Sequence, residues 1–143
     1  MSYKCKHFCI EELVPPEVFE ARGEKAWELL DDRLLYAIDA LRNEFGPATI
    51  NNYKWGGDRT QSGLRTAGSA YFSPYSQHTF GRAADMLFKS TDVNDIRDWL
   101  KSDEGLDVEP TNAEWLEIKG IEDGVSWLHI DTRNFDGLKV FTA

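Results

Sequence analysis

The sequence predicts one α+β domain over residues 1–143, with N-terminal helices packed on a small, mainly antiparallel sheet. Three observations carry this. The apolar residues between Glu24 and Phe45 recur at helical spacing, and after Ala48 the pattern shifts to short apolar or alternating runs. Helices are thus gathered first and strands after. The chain's 143 residues, 41% hydrophobic and 29% charged, suffice for a core without disulfide staples.

Taken in order, residues 3–10 form a short strand-like lead-in. Glu11 and Glu12 precede Pro15 and Pro16, and prolines near a helix start favour a brief helix through about Ala21. The main helix is expected from Glu24 to Phe45. Ala26, Trp27, Leu30, Leu34, Ile38, Leu41 and Phe45 mark its apolar face, and Gly46-Pro47 ends it. Ala48 to Tyr53 reads as a strand, followed by a Gly56-Gly57-Asp58 turn. Thr66 to Gln77, rich in Gly, Ser, Pro and Tyr, reads as an exposed loop. Arg82 to Lys89 looks like a buried strand. Thr91 is placed to cap a helix over Val93 to Lys101. Strands over Leu116–Ile118, Ser126–Asp131 and Leu138–Phe141 close the chain. Trp27, Trp99 and Trp115 fall at core-like positions, whereas Trp55, Tyr71 and Tyr75 flank the loop region and can line a groove.

A formal charge of -9 argues against a nucleic-acid partner, because phosphate binding needs a positive footprint. No apolar run is long enough for a membrane span, and MSYKCKHFC lacks a secretory hydrophobic stretch. The expected location is the cytoplasm of the producing cell, with any release to a cell wall or virion depending on other proteins. Cys5 and Cys9 are too few for a disulfide framework. They read as reduced thiols in a short strand or turn, the alternative being a small metal site shared with His7. There is no His-Glu-x-x-His helix, Gly-x-Ser-x-Gly elbow or phosphate loop.

The chemistry concentrates in Ser76-x-His78-x-x-Gly81-x-Ala83-x-Asp85. Imidazole and carboxylate are both good zinc ligands. His129, in SWLHIDTR, is the natural third. Strand alternation puts Trp127, His129 and Asp131 on one face and Leu128 and Ile130 on the other, so His129 can enter a cleft while its strand stays anchored. A His-Asp-His set leaves a fourth position open for water.

These motifs, with Ser62-Gly63-Leu64-Arg65 upstream, resemble the zinc peptidases of the D-Ala-D-Ala carboxypeptidase and L-alanyl-D-glutamate endopeptidase group. That group shares the hedgehog/DD-peptidase fold and cleaves peptidoglycan stem peptides. The match runs from about Gln61 to Arg133, and the chain's length is most similar to short phage-encoded members of the endolysin type. The resemblance implies zinc bound by His78, Asp85 and His129. It places Arg65 beside the substrate, holding a carboxylate or the developing oxyanion, with Gln61 assisting; a surface ion pair is the simpler alternative for Arg65. Ser76 either fixes His78 or merely caps its loop. Gly81 allows a tight backbone path, and Ala83 leaves room beside the metal.

One departure stands out. Members of this group commonly carry Glu-x-x-His, the glutamate serving as general base; here Ser126 holds that position. Asp123 is the first alternative base and Glu122 the second, unless Glu122-Asp123-Gly124 is only a solvated turn. Asp131 can accept a hydrogen bond from a ligand imidazole. The missing glutamate also suggests a different function, that of a non-catalytic metal-binding or virion-associated structural domain of the same fold.

Overall fold

A computed structural model describes residues 3–73, 75–102, 111–135 and 137–142. One carboxylate organises the N-terminus. Asp39 accepts hydrogen bonds from the Tyr3 hydroxyl (2.8 Å), the Lys6 amide (2.7 Å) and the His7 amide (3.1 Å). With their donors taken by a side chain, residues 3–9 run as an irregular lead-in rather than the expected strand, ending in a 3-10 turn at Ile10–Glu12. Cys5 and Cys9 are free thiols, and Cys5, His7 and Cys9 do not form a ligand group among the described residues.

Helix α1 spans Pro16–Arg22, with proline in its first turn, where a missing N–H costs nothing. The expected Glu24–Phe45 helix is two elements. A 3-10 stretch covers Gly23–Leu29, Leu30 is extended (φ -112°, ψ 142°), and α2 runs Asp32–Phe45. The break is made by Asp31. Its carboxylate caps α2 by accepting from the Arg33 amide at 2.8 Å, and its own amide donates to the Gly81 carbonyl at 2.9 Å. An N-cap inside a continuous apolar period is invisible to periodicity alone.

Strand β1 is only Ala48–Thr49, because the chain then turns inward. The Asn51 amide bonds the Glu12 carbonyl, and Asn51 Oδ1 accepts from the Ser62 amide. Strand β2 covers Ala83–Phe88, within the expected limits. Helix α3 is Val93–Lys101, as expected, but Asp92 caps it while the Thr91 hydroxyl donates to the Phe45 carbonyl. Helix α4, Asn112–Trp115, was not anticipated; a Thr111–Glu114 capping box starts it. Glu117 then adopts a left-handed conformation (φ 59°), so the strand expected at Leu116–Ile118 begins later. Trp115 is 71% exposed rather than core.

The remaining strands are β3 (Gly120–Asp123), β4 (Leu128–Asp131) and β5 (Lys139–Thr142). The sheet order is β1-β2-β4-β3-β5, antiparallel throughout except for the parallel β3–β5 pair. The architecture is α+β, with four α-helices and a five-stranded mixed sheet among the described residues. Ala84, Met86, Ile121, Leu128 and Ile130 share the core with Leu34, Leu35, Ile38 and Leu41 of α2 and Ile96 and Leu100 of α3. Each fully buried Leu, Ile or Met contributes roughly 1.5–3 kcal/mol. The opposite face is polar. Asp85 pairs with His129 in the β2–β4 register, and Glu122 with Phe141 in the β3–β5 register. The β3–β4 register, Gly120 to Asp131 and Ile121 to Ile130, runs on to place Glu122 beside His129. Asp85, His129, Glu122 and Phe141 thus form one row across four strands. No described helix is long and apolar enough to cross a membrane.

Candidate metal centre

His78, Asp85 and His129 are 4%, 8% and 6% exposed, and one ligand atom from each can be chosen so that all lie within 4.8 Å of one another. Asp85 Oδ1 is the hub. It stands 3.4 Å from His78 Nε2 and 2.9 Å from His129 Nδ1. Ligands of a tetrahedral zinc, at bond lengths of about 2.0–2.1 Å, are roughly 3.3 Å apart, so the spacing suits a small divalent cation.

The outer atoms are fixed as well. His78 Nδ1 lies 2.9 Å from the Gly63 carbonyl, which can only accept, so Nδ1 carries a proton and Nε2 is the nitrogen that faces the centre. His129 Nε2 lies 2.9 Å from Asp131 Oδ2, leaving Nδ1 for the centre. Asp131, fully buried, is held in turn by Arg133, whose Nε and terminal nitrogen donate at 2.7 and 2.6 Å. Arg65 donates to the far oxygen of Asp85 at 3.3 Å and to the Gln61 carbonyl at 2.7 Å. Both imidazoles therefore have an anchored outer nitrogen, the arrangement that sets tautomer and ring angle in metal sites. The three residues can hold a metal ion.

The electrostatics agree. Burial opposes charge on Asp85, yet hydrogen bonds from His129 and His78 hold its carboxyl well below the usual range. Burial likewise opposes a charged His129, but its bonds to Asp131 and Asp85 lift its pKa to about 9. Asp131 is buried too, and Arg133 and His129 bring it down to about 2. A proton on His129 Nδ1 occupies the place beside Asp85 that a metal cation would take.

Local backbone explains how these groups meet. The Asp85 amide donates to the Ser62 carbonyl at 2.8 Å, so the Ser62-Gly63-Leu64-Arg65 segment lies along the edge of β2. This delivers Arg65 and the Gly63 carbonyl to the site. His78 sits in the following loop, where its amide donates to Ser76 Oγ at 3.2 Å and its carbonyl accepts from the Arg65 amide at 3.2 Å. Gly81 closes that loop at φ 68°; a Cβ there would come within 2.1 Å of the Leu29 carbonyl oxygen.

Two open cavities flank the centre. One, about 490 Å³, is lined by Asp58, Arg59, Thr60, Gln61, Ser62, Arg65, Tyr71, Asp85 and Trp127. The other, about 390 Å³, is lined by Arg65, Tyr75, Ser76, Gln77, His78, Asp85, Glu122, Trp127, His129, Arg133 and Phe141.

Of the residues singled out in the sequence, Arg65, Ser76, His78, Asp85, His129 and Glu122 meet around the second cavity, and Gln61 lines the first. Tyr71 and Tyr75 lie on the cavity walls, but Trp55 lines neither. Asp123 is not brought to the centre. It points the other way from Glu122 along β3, and Lys101 Nζ binds both its oxygens at 3.0 Å, with Arg97 Nε at 3.8 Å. The segment expected as a turn is strand, and alternation separates the two carboxylates. Sequence reading missed Arg133, Phe141 and Gly120. Phe141 stacks under Arg133 (4.7 Å to the ring centroid) and packs edge-on against His129 (5.5 Å). A Cβ on Gly120 would fall 2.2 Å from Asp131 Oδ1, so only glycine leaves this carboxylate its place. Asp131-x-Arg133 was the one local signal available.

Comparison with protein-family models, curated proteins and solved structures gives no match to this chain.

Proposed function

We propose that this chain is a zinc-dependent peptidase of the hedgehog/DD-peptidase type that hydrolyses peptide bonds in peptidoglycan stem peptides, in the manner of a phage endolysin. The observation that carries the reading is the convergence of His78 Nε2, Asp85 Oδ1 and His129 Nδ1, with both outer imidazole nitrogens anchored. Two nitrogens and one carboxylate oxygen form the donor set of a catalytic rather than a structural zinc site. When bound, zinc supplies Lewis acidity and a water of pKa about 7.

The chain's own groups supply the rest. Glu122, beside His129 and on the cavity wall, is the general base that takes a proton from the attacking water and returns it to the leaving amine. Arg65 directs its guanidinium at Asp85 and at the junction of the cavities, where it orients the scissile carbonyl and stabilises the developing oxyanion. Asp131 and Arg133 hold His129 in its ligand tautomer. Gln61 and Ser76 frame the substrate on opposite sides.

The test is zinc content and cell-wall hydrolysis for the wild type and His78→Ala. Wild type should bind zinc stoichiometrically and lyse walls, and the variant should do neither. A zinc-supplemented wild type that stays metal-free and inactive overturns the proposal.

A second reading has one observation behind it. Ser126, where the peptidases commonly have glutamate, is exposed and cannot accept a proton at neutral pH without a base of its own. On that reading the chain is a non-catalytic metal-binding or virion-associated domain, and Glu122→Ala changes no measurable property.

A further inference from the structure

Resting on the peptidase reading above, we propose that Arg97 is a positioning residue for substrate binding. It lines neither cavity, but it holds the segment joining β3 and β4 and so keeps the Trp127 indole on the wall that the two cavities share. Arg65, Asp85 and Trp127 are the residues common to both linings. Arg65 and Asp85 bind each other, and each is also tied to a carbonyl, that of Gln61 and that of Ser62 respectively. Trp127 has no such support. It lies one residue before β4, whose pairing with β2 stops at Leu128 and whose pairing with β3 covers only Ile130 and Asp131. Its Nε1 is buried with no hydrogen-bond partner among the described residues, so no polar contact of the ring fixes the indole.

Arg97 supplies what the strands do not. It stands on α3 next to the core residue Ile96 and is itself only 4% exposed. One terminal nitrogen donates to the Trp127 carbonyl at 2.9 Å. The other donates to the Val125 carbonyl at 2.9 Å and to Asn94 Oδ1 at 2.8 Å. Its Nε lies 3.8 Å from Asp123 Oδ1, at the end of β3. A guanidinium offers five donors in one rigid plane, and here that plane meets both ends of the Asp123–Trp127 segment. Lys101 also binds Asp123, so that end keeps a cation without Arg97; the Val125 and Trp127 carbonyls lose theirs. Buried carbonyls deprived of a donor drive the segment to rearrange, and Trp127 moves with it. His129 and Glu122 lie instead on paired positions of β4 and β3, so Arg97 acts on substrate binding without touching the metal ligands or the base.

The experiment measures kcat, KM and zinc content on a stem peptide for the zinc-loaded full chain, as wild type, Arg97→Met, Arg97→Lys, Trp127→Ala and Arg97→Met combined with Trp127→Ala. Arg97→Met keeps an extended side chain but no donor. Its KM should rise about tenfold with kcat within about twofold and zinc content unchanged, the pattern of binding lost equally from ground and transition states. Arg97→Lys keeps a charged donor but not the planar fork, and should show a smaller rise. In Trp127→Ala there is no indole to place, so adding Arg97→Met should change KM by less than about twofold. A lower melting temperature with KM unchanged would mark a role in stability alone. That result, or an equal rise in KM with and without the indole, overturns the inference but leaves the peptidase reading standing. Should Arg97→Met fail to fold, Arg97→Lys, alone and combined with Trp127→Ala, makes the same comparison. No turnover by wild type that has bound zinc overturns both.

Discussion

Asp85 and His129 are direct partners across the β2–β4 pair, and Asp85 Oδ1 lies 2.9 Å from His129 Nδ1. The two strands carry Ala84, Met86, Leu128 and Ile130 on their other face, so this distance is built into the core. His78 comes from a loop and depends instead on the Gly63 carbonyl and Ser76. A metal held by these three residues would therefore rest on a rigid pair and a tethered third ligand.

The outer shell should be felt directly in binding. Asp131→Asn keeps the shape but removes the charge shared by Arg133 and His129, and loss of such a partner typically weakens a site 10–100-fold. Competition against a chelator of known zinc affinity should show a weakening of roughly this size, with far-UV circular dichroism unchanged. An affinity equal to wild type would remove Asp131 from any role at the centre.

The pH dependence of the metal-free protein follows from the same groups. The folded pKa of His129, about 9, lies above its ordinary 6.5, so its contribution to stability is complete below about 6.5 and is lost as the pH rises through about 9. Asp85 is held below its ordinary 3.8, so its contribution is present above that value and is lost on acidification. Metal-free protein should therefore melt highest between about pH 4 and 6.5 and decline toward pH 9. Zinc bound as proposed would take the place of the His129 proton and should abolish the alkaline decline. Melting temperatures across this range, with chelator and with zinc, check both halves; a chelated protein equally stable at pH 6 and 9 contradicts the pairing.

Glu122 and Asp123 are adjacent, yet their substitutions should have separate consequences. Glu122→Gln removes the proposed base and should reduce kcat by about 10²–10⁴-fold with zinc content unchanged. Asp123→Asn breaks a partly exposed pair with Lys101, worth about 0.2–1 kcal/mol, and should leave turnover intact. Stability by urea titration and kcat for each variant decide it. Equal loss of kcat in both would show that the β3 alternation does not govern the chemistry.

That contrast shows what was legible in the chain. Local spacing exposed the His78–Asp85 motif, and period-two alternation put His129 and Asp131 on the polar face of their strand, because both signals lie within about ten residues. The choice between Glu122 and Asp123 was hidden. It depends on β3 pairing with β4 and β5, a non-local fact that makes strand of Glu122 and Asp123 in an acidic, turn-like triplet. The break at Leu30 was hidden for a similar reason. Asp31 caps α2 while its amide reaches Gly81, fifty residues away in sequence.

Gly120 gives the most specific check of this non-local design. It faces Asp131 in the β3–β4 register, and a Cβ at that position would lie 2.2–2.5 Å from the carboxylate atoms. The three nearest heavy atoms all belong to the Asp131 side chain, so the strand itself can accept alanine while that side chain cannot stay where it is. Gly120→Ala should push that carboxylate away from His129 Nε2 and free the imidazole to change tautomer. The expected outcome is a fold intact by circular dichroism, with zinc affinity reduced about as far as in Asp131→Asn, roughly 10–100-fold. Because both substitutions act on one carboxylate, their combination should cost little more than either alone. Additive losses in the double variant would mean that Gly120 shapes the centre by some route other than Asp131.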